Sequence, residues 1–261
     1  MRALWIELWY FTLANIRASY FGGFLLFVFL LTEIVTVSFV TRYDVIFLSA
    51  IGFQVCALLF QFEKPKEFLV IILFHILATG MELFKTNPAI GSWTYPGMEG
   101  VVFALATVPL FSGFLYSAVG SYISRAFTFL KLSYENFPAY YHLWILATLT
   151  YVNFFTHHFF YDIRYFLFAY VLIVFFKTKV HFQVYEKMRS MSFVVTALLV
   201  AVFVWIAENV GTFTTIWLYP SQLENWHLVS FGKLGSWFLL LILSFALVSI
   251  IYRDKLNRAS V

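Results

Sequence analysis

Charged residues are scarce in this sequence, and that scarcity sets its broad class. Only 11% of the 261 residues are Asp, Glu, Lys or Arg, whereas 62% are hydrophobic. A soluble domain is typically about one quarter charged. Because most of a small domain is surface, a water-soluble core cannot absorb this excess of apolar side chains. The composition therefore argues against a soluble domain and predicts an all-α integral membrane protein, for which lipid is the suitable solvent.

Several other features are also missing. The single cysteine, Cys56, excludes an intrachain disulfide, and its place in an apolar run predicts a small buried side chain. No P-loop, dinucleotide fingerprint, nucleophile elbow or thiol redox motif is present, which argues against soluble-type nucleotide chemistry. The adjacent His157 and His158 point about 100° apart on a helix and do not readily chelate one ion. We predict no metal, no cofactor and no nucleic-acid partner.

Long apolar runs dominate what is present. A membrane-spanning helix needs about 20 mostly apolar residues. Eight runs approach this length, although the sixth is short enough for seven spans to be the alternative. Residues 1–18 mix charged side chains with Trp and Tyr, which predicts an interfacial amphipathic helix instead of a cleavable signal peptide. The predicted spans are 20–40, 44–62, 67–84, 98–121, 139–155, 164–176, 190–207 and 229–252.

The distribution of basic residues predicts the orientation of this bundle. If the amino terminus is cytoplasmic, 13 of the 17 Lys and Arg residues lie in the inner segments. The positive-inside rule favours this arrangement. We therefore predict one transmembrane domain over residues 1–261, in the cell membrane, with both termini cytoplasmic.

The third and seventh spans end in similar sequences. Glu82 precedes Thr86 and then the segment 93–96, Trp-Thr-Tyr-Pro, while Glu208 precedes Thr212 and then the segment 217–220, Trp-Leu-Tyr-Pro. Each Glu occupies the same place in a group of four spans of the same orientation. The pattern suggests a tandem parallel duplication with halves at 19–124 and 138–252.

Glu82 and Glu208 are the candidate catalytic residues. A carboxyl group in a low-dielectric site can act as a general acid or base. The alternative is a carboxylate at a helix end that is hydrogen-bonded to its loop or paired with Lys85 or Lys233.

Further polar and aromatic residues are candidate binding residues, because several lie on the same helix faces or in the outer loops. His75 shares a helix face with Glu82, and Asn153 shares one with His157. Interfacial anchoring of the aromatic rings and a satisfied buried histidine are the alternatives. The candidates are His75, Trp93, Tyr95, Asn153, His157, Asn209, Trp217 and Tyr219.

Two local patterns have structural interpretations. Gly113, Ser117 and Gly120 form a small-residue face that allows two helices to approach closely. Asp162 and Arg164 are expected to form an ion pair at the start of the sixth span.

Two resemblances follow from these motifs. The segments 82–96, 108–110 and 156–162, with Tyr116, resemble an uncharacterised bacterial family of integral membrane proteins, the YoaT-like proteins, which implies class and location but no activity. The Glu82 region through 108–110 (Val-Pro-Leu) is similar to carotenoid hydratases and membrane lycopene cyclases over about thirty residues. That similarity implies proton addition to an isoprenoid double bond, but Lys85 beside Glu82 departs from the pattern.

Three functions remain open. The first is an enzyme that acts on a lipid-soluble, isoprenoid-like substrate through Glu82 and Glu208. The second is a transporter or channel, which the polar helix faces and Glu33, inside the first span, favour. The third is an accessory membrane protein whose outer loops bind a partner. The lipid bilayer is the one partner common to all three, and the oligomeric state is not predicted.

Overall fold

The computed structural model describes residues 2–35 and 38–256. Three parts of the predictions lie outside these residues. They are the first residue of the interfacial helix, positions 36–37 of the first span, and Arg258, one of the 13 basic residues assigned to the inner segments.

The described chain is mainly helical, as the sequence predicts. Helices lie within or across each of the eight predicted spans, and a further helix covers the predicted interfacial segment. The helices are α1 (Arg2–Ala18), α2 (Tyr20–Ile34), α3 (Arg42–Leu59), α4 (Pro65–Thr86), α5 (Ser112–Phe129), α6 (Tyr140–Thr156), α7 (Arg164–Phe175), α8 (Phe193–Phe213), α9 (Gly232–Ser249) and α10 (Arg253–Leu256).

Four of these helices are long and apolar enough to cross a membrane, judged by length and composition. They are α3, α4, α8 and α9, and a fifth span is counted if α1 and α2, bent by 73° at their junction, are taken as one. Helix α7 is apolar but shorter. These helices agree with the predicted membrane class.

Short strands form two small sheets that the sequence analysis did not predict. A hairpin pairs β1 (Ala104–Leu105) with β2 (Val108–Pro109). An antiparallel sheet joins β3 (Ser133–Glu135), β4 (Lys179–Val184) and β5 (Lys187–Ser192) in that order. In its register Tyr134 opposes Val180 and Phe182 opposes Arg189.

The first hairpin corrects the predicted helical span 98–121. Turns and the β1–β2 hairpin occupy the first part of this apolar run, and helix α5 begins only at Ser112. The backbone N–H groups of Val102 and Phe103 donate to the Asp44 carboxylate at 2.8–3.2 Å. Because a side chain distant in sequence satisfies these donors, the run does not need a helix to bury its backbone.

Local contacts at the amino-terminal ends of α3 and α4 explain where each of these two helices begins. Thr41 is the N-cap of α3 and accepts the backbone N–H of Asp44. Pro65 occupies the first turn of α4, where its missing N–H costs nothing, and the Glu67 side chain accepts the N–H of Lys64 at 2.9 Å.

Two side chains differ in position from their predictions. Glu33 lies one residue from the end of α2, which stops at Ile34, and it pairs with Arg42 at 2.8 Å. It is therefore not deep inside a span, because α2 is shorter than the predicted run. Cys56 is exposed on α3 instead of buried, since the buried face of that helix contains Gln54 and Ala57.

The chain forms two compact units. Unit 1 contains Met1–Tyr20, Val119–Phe203 and Gly232–Val261, and unit 2 contains Phe21–Ala118 and Val204–Phe231. Aromatic rings fill the core of unit 1, where Phe175 stacks on Phe193 with centroids 4.5 Å apart. In unit 2, Tyr43 stacks on Phe111 at 5.5 Å. The units do not follow the predicted halves, which remain a prediction.

Candidate functional site

Glu82 is the centre of a buried hydrogen-bond cluster in unit 2. Glu82 lies on the last turns of α4, and only 3% of its surface is exposed. Trp93 Nε1 and Tyr95 Oη both donate to Oε2 at 2.8 Å, and Tyr116 Oη donates to Oε1 at 2.8 Å. A tryptophan N–H can only donate, so this set of donors suits a carboxylate that accepts at both oxygens.

Glu208 belongs to a second cluster, on the last turns of α8. It is also 3% exposed, and Tyr219 Oη donates to its Oε1 at 2.5 Å. Burial raises the pKa of Tyr219 well above its usual range, and the nearby Glu208 charge raises it further. Burial and the Glu82 charge likewise raise the pKa of Tyr95 well above its usual range. Both phenols therefore stay protonated and act as donors to the carboxylates.

The two similar loop segments pair with each other. Thr94 and Leu218 form an antiparallel bridge, in which each backbone N–H donates to the other residue's carbonyl at 2.9 Å. The rings of Trp93 and Tyr219 lie edge to face with centroids 6.1 Å apart. The charge of Glu82 also contributes to the raised pKa of Tyr219, so the two clusters interact electrostatically. The bridge thus brings the two predicted acids into one site.

The start of α3 holds these loops in place. Tyr43 Oη lies 2.6 Å from the carbonyl oxygen of Pro96 and 2.9 Å from that of Ile216, so its hydroxyl faces the backbone of both paired segments. Arg42 donates through Nη1 to the Thr214 carbonyl at 2.8 Å. These contacts connect the helix α3 terminus to the segments that supply the donors to Glu82 and Glu208.

Two glycines allow close packing around the site. A Cβ at Gly211 would lie 2.2 Å from the Trp217 ring, and a Cβ at Gly113 would lie 2.5 Å from His75 Nδ1. Ser117 Oγ donates to the Ile71 carbonyl at 3.0 Å. The sequence predicted that Gly113 and Ser117 allow two helices to approach closely. The contact of α5 with α4 at these two residues confirms this prediction.

The remaining predicted binding residues have separate environments. His75 lies two turns before Glu82 on α4, packed on Phe114 with ring centroids 4.5 Å apart, and its Nδ1 is buried without a hydrogen-bond partner. Asn209 holds a loop, because its Oδ1 accepts the Val229 N–H at 2.9 Å. Trp217 is buried against Phe29 with centroids 6.3 Å apart.

Asn153 and His157 belong to unit 1, and their described bonds hold local structure. Asn153 Oδ1 accepts the Ile163 N–H, and its Nδ2 donates to Asp162, both at 3.0 Å. His157 Nδ1 lies 2.7 Å from the Asn153 carbonyl oxygen. The predicted ion pair of Asp162 and Arg164 is present, with Nε and Oδ2 2.5 Å apart. Within residues 2–35 and 38–256, no group of three or more His, Cys, Asp and Glu is placed to hold a metal ion.

Sequence reasoning missed several residues of this site. Tyr116 contributed to a family resemblance but was not assigned to the site, although it bonds Glu82 directly. Arg42, Tyr43 and Asp44 were treated only as a span boundary. Three consecutive polar residues between two apolar runs were the available signal, because such residues must find partners near the membrane surface.

Comparisons with known proteins agree with the first of the two resemblances. Residues 7–245 match the model of the family described as "Protein of unknown function (DUF817)". The chain is 39% identical over 225 residues to the "Uncharacterized protein YoaT" of Bacillus subtilis (strain 168), covering 86% of this chain and 84% of that protein. No solved structure matches the chain significantly. These comparisons do not show the similarity to carotenoid hydratases and lycopene cyclases. The chain therefore belongs to the DUF817 family.

Proposed function

We propose that this DUF817 protein is a multi-pass membrane enzyme that uses Glu82 and Glu208 for acid–base chemistry on a lipid-soluble substrate. The observation that carries the proposal is the pairing of two buried carboxylates with phenols in one site. Tyr95 and Tyr116 donate to Glu82, and Tyr219 donates to Glu208. Buried acids are costly in an apolar protein and usually serve a function there.

The topology we propose has eight spans, α2 to α9, with both termini in the cytoplasm of a bacterial cell. The excess of Lys and Arg in the inner segments supports this orientation. Helices α4 and α8 then run in the same direction and deliver Glu82 and Glu208 towards the outer leaflet. The antiparallel bridge between the two similar loops is compatible with two halves related by an axis along the membrane normal.

Reporter fusions test this topology. A fluorescent protein inserted in the β4–β5 turn should fold on the cytoplasmic side. Alkaline phosphatase inserted between α6 and α7 should be active outside. The reverse pattern would refute the orientation.

The residues have different roles in the proposed chemistry. A buried carboxylate can take a proton from a substrate as a general base and return it as a general acid, while the tyrosine hydroxyls that donate to it stay protonated and hold it in position. Tyr116 with Glu82, and Tyr219 with Glu208, are two such pairs. The aromatic faces of Trp93 and Trp217 suit a substrate that develops positive charge, as a protonated isoprenoid double bond does.

The test combines ligand identification with matched variants. The protein is purified in mild detergent from its native type of membrane, and the lipids that copurify are identified by mass spectrometry. We expect an isoprenoid-like lipid that is lost in the Glu82→Gln/Glu208→Gln double variant. The matched control is Glu99→Gln/Glu224→Gln, which removes two exposed acids that follow the same two Pro residues.

The identified lipid is then used as a substrate in turnover assays. Removing an acid–base group typically costs about two to four orders of magnitude in rate. Turnover that is unchanged by Glu82→Gln would refute the enzyme proposal. A preparation without bound lipid would favour an accessory protein whose outer loops bind a partner.

Transport is the second candidate, and one observation favours it. Two polar side chains on α3 and α4 have buried atoms without hydrogen-bond partners: both amide atoms of Gln54, and Nδ1 of His75. Such atoms are expensive in an apolar interior unless water or a solute reaches them. Solute or proton flux into proteoliposomes that falls with His75→Leu but not with Glu99→Gln would support this candidate, and equal flux in both would exclude a path through His75.

A further inference from the structure

We infer that α1 and the β4–β5 hairpin of unit 1 form a binding site for the headgroup of an anionic phospholipid. The inference rests on the membrane location proposed above, and it does not depend on acid–base chemistry at Glu82. It concerns a surface in a different compact unit from the Glu82 cluster.

The first observation is an exposed apolar stripe along α1. Trp5, Trp9 and Ile16 are 71%, 62% and 59% exposed, at spacings that place them on one side of the helix. The opposite side contains Phe11 and Ala18, which pack against the core of the unit. Tryptophan at the boundary between lipid and water is typical of a helix that lies in the membrane interface.

The second observation is the attachment of the hairpin to this helix. Tyr10 stacks on Tyr185 in the hairpin turn, with ring centroids 4.6 Å apart. Glu7 Oε1 accepts a hydrogen bond from Lys187 Nζ at 2.7 Å, and Glu7 Oε2 accepts two from Arg189. These contacts attach the basic strand β5 to the side of α1 that lies opposite the apolar stripe, so the helix has apolar residues on one side and cations on the other, as an interfacial amphipathic helix does.

Donor capacity at this junction exceeds what Glu7 uses. An arginine side chain has five N–H donors and a lysine has three. Three of these eight donate to Glu7, and the side chains of Lys187 and Arg189 are 58% and 50% exposed. One carboxylate leaves a net positive charge and free donors in a fixed arrangement, which suits a phosphate group.

The charge of the unit fits the same ligand. The segments of unit 1 contain 13 Lys and Arg residues against 5 Asp and Glu, whereas those of unit 2 contain 4 against 8. The formal charges are thus +8 and −4, which sum to the +4 of the whole chain. Basic residues beside an interfacial helix attract anionic lipid headgroups.

The experiment uses the tryptophans of α1 as reporters of the local lipid. The protein is reconstituted into nanodiscs that contain either brominated phosphatidylglycerol or brominated phosphatidylcholine, since bromine quenches a nearby indole. The signal of the α1 reporters is the difference between the protein and its Trp5→Phe/Trp9→Phe variant. We expect stronger quenching by the phosphatidylglycerol, which shows that this headgroup is enriched at the site.

Three variants separate the site from general attraction. Lys187→Gln/Arg189→Gln should abolish the preference for phosphatidylglycerol, because each cation removed weakens headgroup binding about fivefold. Lys131→Gln/Lys177→Gln makes the same change of charge in unit 1 and should retain most of it. Glu7→Gln makes the surface more positive but releases both cations, and we expect a weaker preference.

Each contrary result has a distinct meaning. Equal quenching by the two lipids, or equal loss in both double variants, would overturn the headgroup site. A stronger preference in Glu7→Gln would also overturn it, because simple attraction predicts that sign. No quenching by either lipid would refute the interfacial placement of α1 itself.

Discussion

Replacing Glu82 tests whether its carboxylate holds the site together. Glu82→Leu leaves three buried donors, on Trp93, Tyr95 and Tyr116, without their acceptor. Each unsatisfied buried donor costs about 1–3 kcal/mol, so the described bonds alone give about 3–9 kcal/mol of destabilisation. Relief from burying a charge offsets part of this, which places the expected loss near the lower end.

Glu82→Gln should be much milder. Its amide oxygen can still accept from Trp93 and Tyr95, and the Tyr116 hydroxyl can rotate to accept from the amide nitrogen. What is lost is the charge assistance of three bonds, about 1 kcal/mol each. Because both variants remove the buried charge, that relief is common to them, and the leucine variant should be less stable than the glutamine variant by about 3 kcal/mol, from the middle of the range above.

The assay is chemical denaturation in mild detergent, followed by circular dichroism, with Glu99→Gln as the control for an exposed acid. The Glu99 variant should lie within about 0.5 kcal/mol of the parent, because surface substitutions rarely do more. If the leucine and glutamine variants of Glu82 lost the same stability, the hydrogen bonds at this carboxylate would not be the stabilising interaction, and the reasoning would fail.

Three further predictions concern other contacts. Gly211→Ala should destabilise the protein by about 1–3 kcal/mol, measured by the same denaturation, because the new methyl group overlaps the Trp217 ring. Arg42→Gln should lower stability by about 1–3 kcal/mol and speed proteolysis of the loop at Thr214, since it removes the donors to the backbone carbonyls of Thr214 and Phe29. The hydrogen bond from His181 holds the pKa of Glu135 below its usual range, so its stabilisation is present above the unfolded pKa of about 4.3 and is lost as the pH falls through the lower folded value; His181→Asn should flatten the acid side of the thermal stability profile.

The controls for these predictions are available in the chain. Gly23 has open space where a Cβ would be placed, so Gly23→Ala should not destabilise α2. Arg164→Gln removes a cation whose described bonds go only to its neighbour Asp162, and it should leave the loops of unit 2 unaffected. An acid limb that is unchanged in His181→Asn would show that the His181–Glu135 bond does not contribute to stability.

The amino-acid composition and the apolar runs were sufficient to predict the membrane class and most of the helices, because both predictions depend only on hydrophobicity along the sequence. An excess of apolar side chains argues against a soluble core, and a run of about 20 apolar residues in lipid satisfies its own backbone by forming a helix unless other residues bond that backbone. The repeated Glu and Trp-x-Tyr-Pro elements can likewise be recognised from the sequence alone. For the same reason Glu82, Glu208 and the aromatic residues of the paired loops could be named without coordinates.

The tertiary structure decided which partners those residues have. The apolar run before Ser112 could form a hairpin because Asp44, more than fifty positions away, accepts its backbone N–H groups. The bridge of Thr94 with Leu218 joins segments far apart in the chain. Hydropathy does not encode such pairings, since they depend on which elements meet in space. The sequence determined that two acids were placed alike at helix ends, and only the fold decided that tyrosine and tryptophan donors would join them in one buried site.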